Sequence, residues 1–300
     1  LIEEFDLDKE GTVIDLSKYD GEDRVVTSQE LERRFRDRQI NLVYYKSAFP
    51  TLNDLIGGFT GGELIVISGV TKNGKTLLAQ TFTVNFANSD LGVLWFTYEV
   101  PMIQFLSQFG QPLPLFYMPN LLKGRSMDWI HNRIKEAVVK YKVKAVFIDH
   151  LHYLADIMTK SNPSLEIGRV MRTLKAWAVE LDIMVFIIAH TGKIYDEREP
   201  QTGDTRDSSF VEQEADNVFY IWRIKTAENQ AYLKITANRG RGVMNKKIKL
   251  IKHGKYLVEL TPGNVEGEEK PKPKLPYKEP KPYNKRKKYP EDDDFGREED

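Results

Sequence analysis

Eight consecutive residues, Gly69, Val70, Thr71, Lys72, Asn73, Gly74, Lys75 and Thr76, have the spacing G-x-x-x-x-G-K-[ST] of a phosphate-binding loop. Glycine at the two fixed positions lets the backbone curl so that successive N–H groups converge on phosphate oxygens. The lysine carries a point charge to the β- and γ-phosphates, and the threonine hydroxyl is a hard ligand suited to Mg2+. The chemistry this predicts is binding and cleavage of a nucleoside triphosphate, taken here as ATP with Mg2+. Cleavage asks for further groups. Asp149 closes the apolar run Val146-Phe147-Ile148 and is the expected second metal ligand. Glu99 closes the run Val93 to Tyr98 and is the expected base toward an in-line water. His190 ends Ile187-Ile188-Ala189 and is expected to touch the γ-phosphate. Arg239 and Arg241 sit in the glycine turn Asn238-Arg239-Gly240-Arg241-Gly242, from which an arginine can reach a neighbouring subunit's nucleotide. Each has a plainer reading: a cap before Pro101 for Glu99, a strand-ending turn for Asp149, a satisfied histidine for His190, a basic hairpin loop for the arginines.

These residues must be held at the ends of strands. Apolar, β-branched runs at 63–68, 92–97, 144–149 and 183–189 read as strands, and periodic stretches at 75–88, 101–109, 127–141 and 164–181 read as helices. Continuous apolar runs such as Val185 to Ile188 suit strands covered on both faces of a parallel sheet. Strand alternating with helix predicts a doubly wound α/β fold, with ligands at the carboxyl ends of the strands. Four more amphipathic runs at 217–223, 231–237, 246–251 and 255–260 predict antiparallel hairpins at the sheet edge, one turning at His253-Gly254. A short helix over Leu52 to Ile56 is expected to stop at Gly57-Gly58. The long polar loop 193–209, with Lys193, Tyr195, Arg198 and Arg206, and the loop 158–163, with Lys160, are candidates for holding phosphates of single-stranded DNA. Asp196, Glu197, Glu199 and Asp204 dilute that charge.

The boundaries read from this pattern are an arm and charged helix at 1–44, an ATPase domain at 45–262 and a tail at 263–300. The tail is Lys- and Pro-rich, then acidic, and has almost nothing to bury. It is expected to be disordered, either as a solubilising segment or as an arm that meets nucleic acid or a replication partner. The chain has 300 residues, 44 basic and 44 acidic, so it is no general polyanion binder. It has no cysteine, which excludes disulfides, thiol catalysis and cysteine-ligated zinc. No apolar run reaches the length of a membrane span, and the expectation is a soluble, cytoplasmic protein without a membrane partner.

From about residue 45 to 262 the chain resembles the RecA-like motor domain of hexameric replicative DNA helicases, the DnaB type and its phage and plasmid RepA-like relatives. The resemblance is carried by the lead-in Phe49-Pro-Thr-Leu-Asn-Asp54-Leu-Ile-Gly57-Gly58, by Tyr98-Glu99-Val100-Pro101, and above all by Arg206-Asp-Ser-Ser-Phe-Val-Glu212-Gln213-Glu-Ala-Asp216. It implies a catalytic role for Glu99, a finger in trans at Arg239, a linker helix at 28–38 that packs on the adjacent subunit, and a hexameric ring on single-stranded DNA. A viral or plasmid replication protein is implied, in the host cytoplasm if viral. Two departures stand out. His190 stands where the family often has Gln, and Ala237 stands where a lysine commonly precedes the finger. The rival readings are a recombinase ATPase forming filaments on DNA, and a nucleotide-gated scaffold.

Overall fold

A computed structural model describes residues 5–7, 13–21, 24–37, 42–122, 126–157, 163–190, 199 and 211–260, the last apart from 212, 225 and 228. The chain divides into two units, 1–43 and 44–300. In the first, β1 (Phe5–Leu7) and β2 (Val13–Asp15) form an antiparallel hairpin where the sequence suggests an extended arm or a small strand. Helix α1 (Ser28–Asp37) follows, capped by the Thr27 hydroxyl, which accepts from the Glu30 amide at 3.1 Å. None of its residues is buried within this chain; Phe35 is 52% exposed. Its support is local, through the i,i+4 pairs Glu30–Arg34 and Glu32–Arg36.

The second unit begins with α2 (Pro50–Ile56), which has proline in its first turn and ends at Gly57, φ +84°. Then come β3 (Leu64–Gly69), α3 (Lys75–Asn88), β4 (Gly92–Thr97), α4 (Met102–Ser107), α5 (Met127–Tyr141), β5 (Val143–Asp149), α6 (Leu151–Ile157), α7 (Pro163–Glu180) and β6 (Met184–His190). Four strands complete it: β7 (Asn217–Arg223), β8 (Gln230–Asn238), β9 (Lys246–His253) and β10 (Tyr256–Glu259). They form one sheet in the order β10-β9-β8-β7-β3-β6-β5-β4. From β7 to β4 the strands are parallel, and β7 to β10 are antiparallel, so the mixed α/β sheet with edge hairpins is as the sequence predicts.

Burial on both faces explains the unbroken apolar runs. Alternate residues of β3 point opposite ways: Ile65 and Ile67 join one core with Phe82, Phe86 and Phe186, while Leu64 and Val66 join the other with Ile134, Leu174 and Val185. The aromatic side is tightly interlocked; Phe59 meets Phe186 edge-on at 5.1 Å between centroids.

Two local expectations are corrected. Residues 151–157 form a helix, α6, directly after β5, where the sequence pattern predicts no element between the strand and the loop 158–163. The β9–β10 turn is Gly254-Lys255 rather than His253-Gly254, because His253 still pairs with Tyr256. Gly254, φ +58°, takes the first central position, where positive φ is needed.

The amino ends of β3 and β7 are tied by polar groups. Asp216 accepts from the Leu64 amide at 2.8 Å and from Lys175 Nζ at 2.6 Å. Glu63 accepts from the Thr60 amide and Asn217 Nδ2, both at 3.3 Å, yet burial, seconded by the charge of Asp216, raises its pKa to about 7. The folded chain therefore holds a proton there between about pH 4.5 and 7 that the unfolded chain has released. That contribution to stability is complete below the unfolded value and is lost as pH rises through 7. Glu63→Gln, which keeps an acceptor without the charge, should raise the melting temperature at pH 8 and leave it nearly unchanged at pH 5. Equal effects at both pH values would refute the assignment.

Candidate active site

The loop 69–76 joins the carboxyl end of β3 to the amino end of α3. Gly69 has φ +153°, and a Cβ there would lie 2.4 Å from the Ile221 carbonyl oxygen of β7, so no other residue fits without moving backbone. Gly74, φ +98°, is the N-cap of α3 and offers no side chain to its first amides. Those amides and the helix dipole are thereby left facing outward, as anion binding requires. Asn73 ties the loop across the sheet, its side-chain oxygen accepting from the Arg223 amide at 3.3 Å. No acidic residue lies in the first turn of α3.

Lys75 is 5% exposed and donates to the carbonyls of Gly69 and Val70 at 2.8 and 3.2 Å. Burial lowers its pKa, and the nearby charges of Asp149 and Glu99 oppose that shift. The Thr76 hydroxyl donates to Asp149 Oδ2 at 3.0 Å. Asp149 is 2% exposed, and its other oxygen, Oδ1, is buried without a hydrogen-bond partner. Burial, then Glu99, raises its pKa to about 7, while Thr76 and Lys75 pull it down. A buried carboxylate with one orphaned oxygen, beside a hydroxyl, suits a small hard cation, which needs oxygen ligands and restores the charged form. Residues Thr76 and Asp149 therefore fit Mg2+. Glu99 is exposed just past the end of β4, held there by the Tyr98 amide, which donates to the Asp149 carbonyl at 2.7 Å.

His190 ends β6, between β3 and β5. Its ring is half-buried and Nδ1 is without a hydrogen-bond partner. Burial, then the charge of Lys75, lowers its pKa to about 4, so the ring is neutral near pH 7. Two residues that the sequence reading left unassigned join it. His150 stands edge-on to His190 at 4.9 Å between ring centroids, and His152 lies 6.1 Å from it. Their signal in the sequence is the pair of histidines directly after Asp149. Tyr153 in turn stacks on Tyr98 at 4.1 Å, closing the floor between β4 and α6.

Arg239 and Arg241 are elsewhere. Asn238 pairs with Asn217, and the Arg239 amide donates to the Asp216 carbonyl at 2.8 Å, so both arginines stand at the amino end of β7. The phosphate loop meets the other end of that strand, at Ile221 and Arg223. Seven residues at ~3.3 Å each separate the two ends by roughly 20 Å. Arg239 is half-exposed, donates to the Gln213 carbonyl at 2.6 Å and pairs with Asp216 at 3.6 Å. Arg241 donates to the Asp54 carbonyl at 3.2 Å and covers Gly57. The structure thus brings Lys75, Thr76, Asp149, Glu99 and His190 together and keeps both arginines apart from them. Lys160, Lys193, Tyr195, Arg198 and Arg206, the loops that carry them apart from Pro163 and Glu199, and the tail 263–300 lie outside the described residues.

Residues 119–257 match the family described as the DnaB-like helicase C terminal domain. The matched segment includes Asp149, His190, Arg239 and Arg241, while loop 69–76 and Glu99 precede it. The replicative DNA helicase DnaB of Treponema pallidum is 26% identical, over 64% of this chain and 51% of its own length. That of Haemophilus influenzae is 24% identical, over 59% and 46%. The chain spans about half the length of the curated relatives it matches. Two solved structures have this fold. One, an isolated ATPase domain, superposes with a TM-score of 0.65 at 19% identity, over 78% of this chain and 97% of its own. The other, a DnaB-like replicative helicase described with its interactions with primase, gives 0.66 at 19% identity, over 79% and 69%. The fold is RecA-like. Among the described residues no helix is long and apolar enough to cross a membrane.

Proposed function

We propose that this chain is the motor of a ring-forming replicative DNA helicase, hydrolysing ATP between subunits to move along single-stranded DNA and unwind duplex. The observation that supports it most is a join within one sheet. Strand β3, which carries the phosphate loop, pairs with β6 and β7 of the DnaB-like segment. The phosphate-binding chemistry and the helicase-type domain are thus one structural unit.

In this reading the amides of residues 69–76 and Lys75 bind the β- and γ-phosphates, and Thr76 and Asp149 hold Mg2+, whose charge would offset that of the phosphates. Glu99 orients water and accepts its proton. His190, neutral near pH 7, contacts the γ-phosphate and passes its loss to the loop that follows. Arg239 serves a neighbouring chain's nucleotide, with Arg241 beside it; the separation along β7 forbids a contact with its own. A closed hexamer with identical head-to-tail interfaces satisfies that geometry. Single-stranded DNA, a replication partner for the tail and a cytoplasmic setting complete the proposal. The recombinase reading shares the loop and Glu99, but the relatives compared above are named replicative DNA helicases.

The test is ATP turnover with and without single-stranded DNA, alongside particle images. Stimulation by DNA and closed rings are the expected results. Open filaments would favour the recombinase, and turnover indifferent to DNA would favour the scaffold.

A further inference from the structure

Three of the chain's five histidines gather at one corner of the sheet. Among them, one ligating atom each from Glu99, His150 and His190 lies within 4.8 Å of the other two. We infer that Glu99, His150 and His190 form a second metal site, selective for a borderline transition ion such as Zn2+ and separate from the oxygen pair of Thr76 and Asp149.

Ligand chemistry separates the two sites. Imidazole nitrogens suit Zn2+, Co2+ or Ni2+, whereas Mg2+ takes oxygen. Two histidines and one carboxylate, with a fourth position open, are an established zinc set. A tetrahedral ion bound at ~2.1 Å holds its ligands ~3.4 Å apart, so each pair of ligating atoms, within 4.8 Å now, must close by at most ~1.4 Å. The elements limit the cost. His190 and His150 stand at the ends of adjacent strands β6 and β5, and Glu99 follows β4, so three neighbouring strand ends each supply one ligand. The exposed Glu99 carboxylate reaches the ion by turning from its contact with Asp149, and Nδ1 of His190 is buried without a hydrogen-bond partner that metal binding would displace. His150 Nδ1 accepts from the Tyr153 amide at 3.3 Å, a long bond that is cheaply given up if this nitrogen turns to the ion.

The consequence, which rests on the reading of Glu99 as the base, is a brake. A carboxylate lone pair donated to Zn2+ is not available to take a proton from water. Zn2+ should therefore stop hydrolysis without displacing Mg2+ from its oxygen ligands.

Binding is measured on the full chain without nucleotide, by calorimetric titration of Zn2+ and by the visible ligand-field bands of Co2+. Saturation at one ion per chain is expected, with intense bands of a four-coordinate centre. His150→Asn and His190→Asn should each lose the bands and weaken Zn2+ roughly 100-fold, since even supporting partners of ligands are worth 10–100-fold. His253→Asn, distant at the end of β9, should bind as the parent does. No saturation, or equal affinity in both site variants, overturns the inference. Turnover is then followed with Mg-ATP as Zn2+ is added, each variant compared with its own metal-free rate. The parent should lose activity in step with occupancy, and His150→Asn should resist. If the bands behave as expected and turnover is unmoved, the site stands and the assignment of Glu99 as base falls. If Glu99→Gln abolishes turnover while no ion binds, the base stands and the metal site falls.

Discussion

Lys75→Ala is expected to fold normally and to lose nucleotide hydrolysis by roughly 10³-fold or more, the scale seen when a preorganised charge at a reacting group is removed. Two effects combine. The variant lacks the cation that would meet the β- and γ-phosphates. It also lacks the charge that lowers the pKa of Asp149, so that carboxyl becomes easier to protonate and a poorer ligand for Mg2+. Stability should barely suffer. The Lys75 ammonium is buried at a desolvation cost, visible as its lowered pKa, and it donates only to two carbonyls of its own loop. Alanine is well suited to the first turn of α3. The measurements are thermal unfolding and ATP turnover with single-stranded DNA present. A melting temperature within a few degrees of the parent's, with turnover gone, is the expected pair of results. Turnover still stimulated by DNA would sink the assignment of the loop.

Much of this site was legible in the sequence because its parts are local. The loop, its flanking strand and helix, and the carboxylates that close apolar runs all depend on periods of two or 3.6 residues within a short window. The runs at Val146–Asp149 and Ile187–His190 reveal strands because burial on both faces removes the polar half of the alternation. The pairing order was not legible. His150 and His190 meet because β5 and β6 are neighbours in register, with Asp149 opposite Ile188, and nothing within either segment encodes that. Helix α6 was missed because Leu151-His-Tyr-Leu154 follows the strand end without a spacer and is too short for its period to declare itself. The β9–β10 turn slipped by one residue for a similar reason. Glycine marks a turn but does not say which of its positions it takes.

The separation of Arg239 from its own phosphate loop yields the second large effect. Arg239→Ala alone should cut turnover roughly 10³-fold or more, as loss of an arginine that neutralises transition-state charge does in other nucleotide hydrolases. Its fold should survive. Asp216, which Arg239 faces at 3.6 Å, keeps the Leu64 amide and Lys175 as partners. Glu99→Gln should be comparably inactive, since glutamine cannot accept the proton. The informative experiment mixes the two. An Arg239→Ala chain still offers Lys75, Thr76, Asp149 and Glu99, and a Glu99→Gln chain still offers Arg239. When they meet in the right order, one interface holds a complete site and the reverse interface holds none. With head-to-tail contacts and random mixing in equal amounts, about a quarter of interfaces are complete, so activity should reappear and peak near equal proportions. An arginine acting within its own chain predicts the opposite, because every site would then lack one group or the other at all ratios. Arg239→Lys sharpens the result. It keeps the charge but loses the planar fork, so partial turnover would assign the effect to charge, and none would assign it to the geometry of the guanidinium. Subunits must be mixed before assembly or under conditions where they exchange, and fluorescence transfer between labelled chains confirms that they do. A flat line across mixing ratios, with exchange demonstrated, would remove Arg239 from the neighbour's site.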